Sequence, residues 1–554
     1  MDLTAEQHKG ISTFIQDWSR DSKYEVETSF GLNGVVDSNT FLQIAQRLRS
    51  KGFEVLPQED YLNIITPNHI RLSLQGLGVL QTYCKDDTLQ HKTFTAMIKD
   101  RAFPDSNIDL REYDIRFKIR REEELSSDDP RIKEMMAKWN TQKKAFRLIR
   151  RWSFKGKGIR VDMSVVRQTP NVPGSGEYQW STSFLQRNVL QELSRYEVEV
   201  ELLHDTEYTD TPEKALKALI SGVGEVQRAI QKNSLLIRNS VAQTVRTEYL
   251  QITGSDRFRG VGPVTMQVQN MTKDIVDGIP NIRSGYNVTD KADGLRAMGF
   301  VDHTGELYLI DQSLNVYRTG LKNPKCAQSI VDGEWVTVTK DGKPIHHYLI
   351  FDIYHYNNEQ ISKAPFVAFN EGLLDTGAVS RYNKMKEWFD RWQDGVEVIA
   401  KGVTDASRLM IALKRFSFAS ANNDSIFKRG CASILDSSRI YHTDGLILTS
   451  NSEPIPDKAG VRFNQQFKWK PAKDNTVDFL IEYEHSPESP KIDKVTSTIH
   501  PSNGTVVNYK TMRLYVGGEK GAEFDNPRNA ILSQLPITND KNGDVKQYRP
   551  ILFN

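Results

Sequence analysis

The segment YNVTDKADGLRAMGFVD, residues 286–302, places a lysine between two apolar runs that have the residue types of β-strands. Lys291 stands two residues before an Asp-Gly pair, and Arg296 follows two residues after that pair. One interpretation is a plain connection between strands, because Asp-Gly is good turn chemistry. The other interpretation is that Lys291 is a nucleophile held at the rim of a sheet. The rest of the chain must decide between them.

Further motifs follow Lys291 in order along the chain. They are VDGEW with Glu334, YLIFDIY with Phe351, HTDGLILT with Asp444, and FKWKPAKDNTVDF with Lys468 and Lys470. Each polar residue lies within or at the end of an apolar, strand-like run, which is how a rigid sheet presents catalytic groups. Taken singly, each motif has an ordinary explanation: a hairpin turn at Asp332-Gly333, a core aromatic ring, or a solvated lysine face. Their joint occurrence favours one site.

This ordered set resembles the covalent nucleotidyltransferases, which include the mRNA capping guanylyltransferases and the ATP- or NAD-dependent polynucleotide ligases. The resemblance implies that Lys291 attacks the α-phosphate of a nucleoside triphosphate, that Arg296 binds on the ribose side, and that Phe351 stacks on the base. It also implies nucleotide or phosphate binding by Glu334, Lys468 and Lys470. Asp444 is the implied metal ligand.

The chemistry accounts for these residue types. A lysine must be neutral to act as a nucleophile, although its ordinary pKa is about 10.4. Burial and nearby cations lower that pKa, and Lys468 and Lys470 are the candidate cations. Carboxylates such as Glu334 and Asp444 suit a divalent metal that neutralises pyrophosphate as it leaves.

Two glutamate-rich strands are predicted in the first part of the chain. YEVETSFG places Glu25 and Glu27 on one face of a strand, and YEVEVELL does the same for Glu197, Glu199 and Glu201. The opposite face of each strand is apolar, so the carboxylates must point into water or toward a metal. Because the two strands are far apart in sequence, they can share one metal only if the sheet closes on itself.

The intervening strands carry the opposite charge. YDIRFKIR and KKAFRLIRRW alternate cations with apolar residues, and the candidate triphosphate ligands are Arg116, Lys118, Arg120, Arg147 and Arg151. Cations and carboxylates that line one interior are what a triphosphate–metal site requires. The pattern resembles the metal-dependent tunnel-type triphosphatases, which are antiparallel barrels. It implies that Glu25, Glu27, Glu197 and Glu199 bind Mg²⁺ or Mn²⁺.

The chain is therefore predicted to be a strand-rich α+β protein. We expect an antiparallel β-tunnel triphosphatase domain at residues 1–230 and a nucleotidyltransferase domain of antiparallel sheets with helices at residues 231–478. An OB-fold, partial or complete, is expected at residues 479–554, since the closing basic motif of that fold does not follow Asp478. Amphipathic helices are expected around Ile11–Trp18 and from Pro212 onward.

Composition limits the location and partners of the protein. Lys and Arg number 73 against 71 for Asp and Glu, so any nucleic-acid surface must be local. Three separated cysteines suit a reducing compartment, and no apolar run reaches the length that spans a membrane. We expect a cytoplasmic protein.

The arrangement resembles the multifunctional capping enzymes of large DNA viruses, which implies an RNA triphosphatase followed by an mRNA guanylyltransferase. The resemblance also implies a location in the viral factory or the virion. The expected substrates are RNA with a 5′ triphosphate and GTP. A methyltransferase domain or subunit and a viral RNA polymerase are the expected partners. Two alternatives stay open: an ATP-dependent RNA or DNA ligase, and a catalytically silent scaffold that binds RNA.

Overall fold

The computed structural model describes residues 1–32, 36–187, 189–401, 403, 407–418, 426–474, 476–487, 489–502, 504–519 and 548–552. The chain divides into two compact units, Met1–Trp469 and Lys470–Asn554. Among the described residues, no helix is both long and apolar enough to span a lipid bilayer.

The larger unit begins with an antiparallel sheet, in which the structure describes ten strands. They are β1 (Tyr24–Phe30), β2 (Glu54–Val55), β3 (Glu59–Ile65), β4 (Ile70–Gln75), β5 (Thr95–Arg101), β6 (Asn107–Leu110), β7 (Ile115–Leu125), β8 (Ala145–Gly156), β9 (Ile159–Gln168) and β10 (Arg195–Leu202). The pairing order β1-β10-β9-β8-β3-β4-β5-β7 returns to β1, because β7 also pairs with β1. The sheet therefore closes into a barrel, as the two glutamate strands required, and every strand has an inward and an outward face.

Helices cover the outside of this barrel. They are α1 (Ala5–Arg20), α2 (Ser38–Ser50), α3 (Leu77–Asp86), α4 (Pro130–Ala137) and α5 (Pro212–Ile230). α1 begins with a capping box between Thr4 and Gln7, and Thr211 caps α5 ahead of a proline at its first position. The apolar faces of α1, α2 and α5 form one core with the outward residues of β1, β7, β9 and β10. Because the outer face of the barrel is the packed one, the alternate charged residues point inward.

The rest of the larger unit contains two further sheets. Its strands are β11 (Gly262–Thr265), β12 (Tyr286–Ala292), β13 (Leu295–Val301), β14 (Glu306–Asp311), β15 (Val316–Lys322), β16 (Ser329–Val338), β17 (Pro344–Tyr356), β18 (Glu359–Gln360), β19 (Phe369–Asn370), β20 (Leu373–Leu374), β21 (Glu397–Val398), β22 (Met410–Leu413), β23 (Phe416–Phe418), β24 (Thr443–Ser450) and β25 (Arg462–Trp469). One sheet has the order β11-β25-β24-β12-β23. The other has the order β18-β17-β16-β13-β14-β15-β21, and β22 pairs with β17. Most neighbouring strands are antiparallel, as expected, whereas β11 with β25 and β17 with β22 are parallel.

Three α-helices are described in this region: α6 (Asn239–Thr253), α7 (Arg381–Gln393) and α8 (Ala432–Asp436). A π-helical turn, Ile426–Cys431, leads into α8. Short 3₁₀ turns lie at Val189–Gln191, Val268–Asn270, Pro324–Cys326 and Ala472–Asp474.

The barrel contacts the first helix of the following region. The carboxylate of Glu112 accepts hydrogen bonds from the backbone N–H and the hydroxyl of Ser240, both at 2.9 Å. The Glu112 carbonyl also accepts from the N–H of Asn239. An acidic side chain at a helix N-terminus offsets the positive end of the helix dipole. This contact fixes α6 against the β6–β7 connection.

The smaller unit is also built from strands. They are β26 (Leu480–Tyr483), β27 (His485–Ser486), β28 (Ser489–Asp493), β29 (Val495–Ile499), β30 (Val506–Lys510), β31 (Met512–Glu519) and β32 (Tyr548–Leu552). Their described pairings, β26-β31-β32, β27-β28 and β29-β30, are antiparallel. The predicted OB-fold stays a prediction.

Candidate functional site

A cavity of about 300 Å³ brings together residues from both sheets of the second region. The predicted residues in its wall are Lys291, Arg296, Glu334, Phe351 and Lys468. The chain crosses from one sheet to the other between β12, which carries Lys291, and β13, which carries Arg296. Asp293-Gly294 therefore connects strands of two different sheets and closes no hairpin. Lys470 is the first residue of the smaller unit, and its role stays a prediction.

A β-bulge aims Asp444 at Lys291. Asp290 pairs with Leu446 and Ala292 pairs with Thr443, so Asp444 and Gly445 together face the single residue Lys291. Gly445 has a φ of +134°, a conformation that side chains rarely allow. The Lys291 ammonium donates a hydrogen bond to Asp444 Oδ1 at 2.7 Å. The Asp444-Gly445 pair thus places a carboxylate on the candidate nucleophile.

Gly294 is required because the chain that enters β13 approaches β16 closely at this point. A Cβ atom at position 294 would lie 2.6 Å from the carbonyl oxygen of Trp335 and 3.0 Å from Cγ of Glu334. The backbone oxygen cannot move away without shifting β16. The absence of a side chain therefore allows Lys291 and Glu334 to share one wall of the cavity.

The Gly294→Ala variant is expected to lose about 1–3 kcal/mol of unfolding free energy, since overpacking forces the backbone to shift. Chemical denaturation of the purified chain measures this loss. Gly78→Ala is the matched control, because a Cβ at that position in α3 meets no atom within 4 Å. Equal stability of the two variants would contradict the close approach.

An ion pair fixes Arg296 under the candidate stacking ring. Its Nε and Nη2 donate to the two carboxylate oxygens of Asp332 at 3.0 and 2.6 Å. The guanidinium lies 5.6 Å from the ring centre of Phe351 and 5.8 Å from that of Phe258. Asp332 and Gly333 lie inside β16, so the interpretation of this pair as a hairpin turn is wrong.

Sequence reasoning missed Lys414, which also lines the cavity. Its side chain is 4% exposed, and its ammonium lies 5.5 Å from the ring centre of Phe351. Burial lowers the pKa of Lys414, and repulsion from Lys291 acts in the same direction. Burial likewise raises the pKa of Glu334. The only sequence signal for Lys414 was a lysine that ends an apolar run, MIALK.

The barrel encloses a second cavity of about 530 Å³ with a strongly charged wall. Predicted residues in that wall are Glu27, Glu197, Glu199, Lys118, Arg120, Arg147 and Arg151. Lys99, which the sequence did not indicate, lies there as well. Arg116 instead forms a two-point ion pair with Asp109 on β6.

The strand register selects which glutamates face each other. Glu27 on β1 lies opposite Glu201 on β10, and Ser29 lies opposite Glu199. Glu197 is further along β10, where its carboxylate accepts from Arg147 at 2.7 Å. The register therefore favours Glu199 and Glu201 as partners of Glu25 and Glu27. Sequence reasoning named Glu197 in place of Glu201 in this set.

Two lysines lie among these carboxylates. Lys99 contacts Glu25 and lies 3.0 Å from Glu27, and Lys118 lies 3.1 Å from Glu27 and 3.4 Å from Glu199. Burial raises the pKa of Glu25, and its acidic neighbours raise it further. Glu27 is buried too, yet Lys99 and Lys118 bring its pKa below the ordinary value.

The donor chemistry fits a hard divalent cation, because carboxylate oxygens are the ligands that Mg²⁺ and Mn²⁺ prefer. Within the described residues, no group of three or more His, Cys, Asp or Glu side chains is arranged to hold a metal ion. The metal ligands in both cavities stay predictions.

The part of the chain that contains the first cavity is similar to a known protein family. Residues 219–472 match the family model for the mRNA capping enzyme, catalytic domain. This part of the chain is similar to the catalytic domains of mRNA capping enzymes. All the residues that line the first cavity lie within it.

The capping-enzyme similarity extends to viral and animal relatives. The chain is 27% identical over 299 residues to the mRNA-capping enzyme of African swine fever virus (isolate Pig/Kenya/KEN-50/1950), covering 52% of this chain and 29% of that protein. It is 22% identical over 412 residues to the probable mRNA-capping enzyme of Acanthamoeba polyphaga mimivirus, covering 68% and 32%. The Danio rerio mRNA-capping enzyme is 27% identical over 303 residues, covering 52% and 41%. The chain thus spans less than half the length of each of these relatives.

Among solved structures, the RNA triphosphatase domain of the trifunctional mimivirus mRNA capping enzyme aligns with 42% of this chain and all of that chain. The identity is 18% and the TM-score is 0.29.

Proposed function

We propose that this chain carries out the first two steps of mRNA cap synthesis. The barrel removes the γ-phosphate from the 5′ end of triphosphate RNA, and the capping-enzyme domain then transfers GMP from GTP to the diphosphate end. The observation that carries the proposal is the single cavity shared by Lys291, Arg296, Glu334, Phe351 and Lys468, within the matched family domain.

Lys291 is the proposed nucleophile of the second step. Its Nζ gives up a proton, forms a bond to the α-phosphorus of GTP, and pyrophosphate leaves. Asp444 Oδ1, at 2.7 Å from Nζ, is placed to accept that proton. An oxygen of the RNA diphosphate end then attacks the same phosphorus, and the N–P bond to Lys291 breaks. Lysine and capped RNA are the products.

The remaining side chains bind and orient the nucleotide. Phe351 offers a face for the base, and Lys468 offers positive charge to the phosphates. Glu334 and Asp444 are the carboxylates that would hold Mg²⁺ or Mn²⁺, which would neutralise the leaving pyrophosphate.

Lys414 supports guanine over adenine as the base. A lysine ammonium only donates hydrogen bonds, and guanine presents acceptors at O6 and N7 where adenine carries the N6 amino donor. Because Lys414 is buried beside the ring of Phe351, it faces a base stacked on that ring. The same argument disfavours the alternative function of an ATP-dependent ligase.

We expect labelled GTP to form much more protein–nucleotide adduct than labelled ATP under the same conditions. Lys414→Met should narrow this preference by about tenfold to a hundredfold, since a base contact of this kind contributes about 1–3 kcal/mol. Gel analysis of the denatured protein measures both adducts. Better labelling by ATP would favour a ligase, and no labelling by either nucleotide would favour a silent scaffold.

In the barrel, the basic side chains are the proposed ligands of the RNA triphosphate. Lys118, Arg120, Arg147 and Arg151 line the same cavity as three glutamates, so negative phosphates would be held beside these carboxylates; the three are Glu27, Glu197 and Glu199. Glu25, Glu27, Glu199 and Glu201 would hold the divalent cation, which would offset the charge of the γ-phosphate during attack by water. The products are inorganic phosphate and a diphosphate RNA end.

The setting of these reactions is part of the proposal. RNA is the substrate of both sites. A methyltransferase and a viral RNA polymerase remain predicted partners. The cytoplasm of an infected host remains the predicted location.

A further inference from the structure

A group of buried or partly buried polar residues surrounds the ammonium of Lys414, and apart from Lys414 its members have no role in the reaction proposed above. We call it the Asp290 network: Asp290, Lys414, Arg439 and Tyr441. The Asp290 side chain is 2% exposed and that of Arg439 is 10% exposed. Burying an ion is costly unless its partners are close, so such a group needs a physical explanation.

The network holds the ammonium of Lys414 from one side. Lys414 Nζ donates to the backbone carbonyl oxygen of Asp290 at 2.7 Å and lies 3.9 Å from Oδ2 of the same residue. An ammonium has three N–H bonds, and one is used by this carbonyl. With the stem of Lys414 buried, the carbonyl fixes one N–H bond, and the negative charge of the nearby carboxylate favours the ammonium at this place.

Arg439 and Tyr441 hold Asp290 in turn. Arg439 Nε lies 3.3 Å from Asp290 Oδ1, and the Tyr441 hydroxyl donates to Oδ2 at 3.3 Å. Arg439 Nη1 also donates to the carbonyl oxygens of Ile434 and Ser437 at 2.7 and 3.0 Å. These carbonyls lie at the end of α8, so the arginine links Asp290 to a fixed helix terminus.

The charges of the Asp290 network also indicate that Asp290 positions Lys414. One carboxylate faces two cations, so removal of the Asp290 charge leaves Lys414 and Arg439 repelling each other in a buried place. Lys414 would then move or lose its proton. The Lys291 ammonium has its own carboxylate partner, Asp444.

We propose that Asp290 and Arg439 are positioning residues that fix the Lys414 ammonium near the ring of Phe351 and thereby set the preference for a purine with a hydrogen-bond acceptor facing that ammonium. This inference rests on the proposed nucleotide transfer. It adds two specificity determinants that do not line the cavity.

The test is a double-mutant cycle on the full chain, with the rate of GMP adduct formation measured over a range of GTP concentrations. Asp290→Asn should raise the GTP concentration for half-maximal rate by about tenfold or more, and should narrow the GTP-to-ATP preference by a similar factor. The maximal rate should stay within a few-fold of wild type. In a Lys414→Met background, Asp290→Asn should add less than about a twofold change, since coupled residues are not additive.

Two further comparisons exclude a general loss of folding. Asp302→Asn is the matched control, because Asp302 is a buried carboxylate of the same domain that binds turn N–H groups away from the cavity. It should leave the GTP dependence unchanged. If Asp290→Asn does not fold, the pair Arg439→Lys and Arg439→Gln carries the test, and the lysine variant should keep more of the GTP preference.

Several results would overturn the inference. One is a lower maximal rate with unchanged GTP dependence, and another is an undiminished effect of Asp290→Asn in the Lys414→Met background. A third is an equal GTP preference in the two Arg439 variants. Failure of wild-type protein to form any GMP adduct would instead contradict the proposed function. Failure of this inference and failure of the proposed function therefore give different results.

Discussion

Lys291→Ala is expected to abolish the covalent protein–GMP adduct, with a loss of about a thousandfold or more in labelling. The alanine removes the only atom that can form the N–P bond, and no binding contact can replace a nucleophile. The adduct formed by wild-type protein should be stable to base and labile to acid, as expected of a phosphoamide. Incubation with GTP labelled at the α-phosphate, followed by denaturing gel electrophoresis, measures the adduct.

A matched control distinguishes loss of the nucleophile from loss of one positive charge. Lys340 is an exposed lysine of the same domain in the β16–β17 turn, and Lys340→Ala should label as wild type does. Thermal unfolding of Lys291→Ala should resemble that of wild type, because the Lys291 side chain is 25% exposed and packs little core. Adduct that survives in Lys291→Ala would show that another residue is the nucleophile, and the interpretation of the 286–302 segment would fail.

The residues of this cavity could be predicted because their types and order are carried by short motifs. Lys291 and Glu334 each end or interrupt an apolar run, and Phe351 lies in such a run beside Asp352, so these features are visible in the sequence. Lys414 also ends an apolar run, but that signal did not single it out, since its relation to Phe351 arises from the parallel pairing of β22 with β17. The same is true of Arg439, whose contact with Asp290 depends on the position of α8.

For the interior of the barrel, the sequence predicts which strand faces are charged but does not predict the register between strands. Alternation of charged and apolar residues correctly indicated that one face of each strand is packed and the other is charged. Alternation does not determine register, because a shift of two residues keeps every side chain on its face. Register depends on pairings between distant strands, so Glu201, and not Glu197, lies opposite Glu27. Lys99 was missed because the strand TAMIKDR alternates too briefly to be noticed.

The second large effect is expected in the barrel, where Glu27→Gln and Glu201→Gln should each lower γ-phosphate release by about a hundredfold or more. Each substitution keeps the size of the side chain and removes one negative oxygen donor, and loss of an essential metal ligand costs several kcal/mol in the transition state. Glu197→Gln should cost less, about tenfold, because Glu197 acts on Arg147. Release of labelled γ-phosphate from triphosphate RNA, with Mg²⁺ or Mn²⁺ and then with a chelator, is the measurement.

The ranking of these variants tests the register as well as the activity. Glu124→Gln is the control, since Glu124 is exposed on β7 of the same barrel and should leave release unchanged. GMP adduct formation should persist in every glutamate variant, whereas Lys291→Ala should keep γ-phosphate release, because the two cavities share no lining residue. If Glu197→Gln were the most damaging change, the ligand set expected from sequence would replace the one favoured by the register. Full release in chelator would mean that the barrel glutamates hold no catalytic cation, and the barrel would need another function.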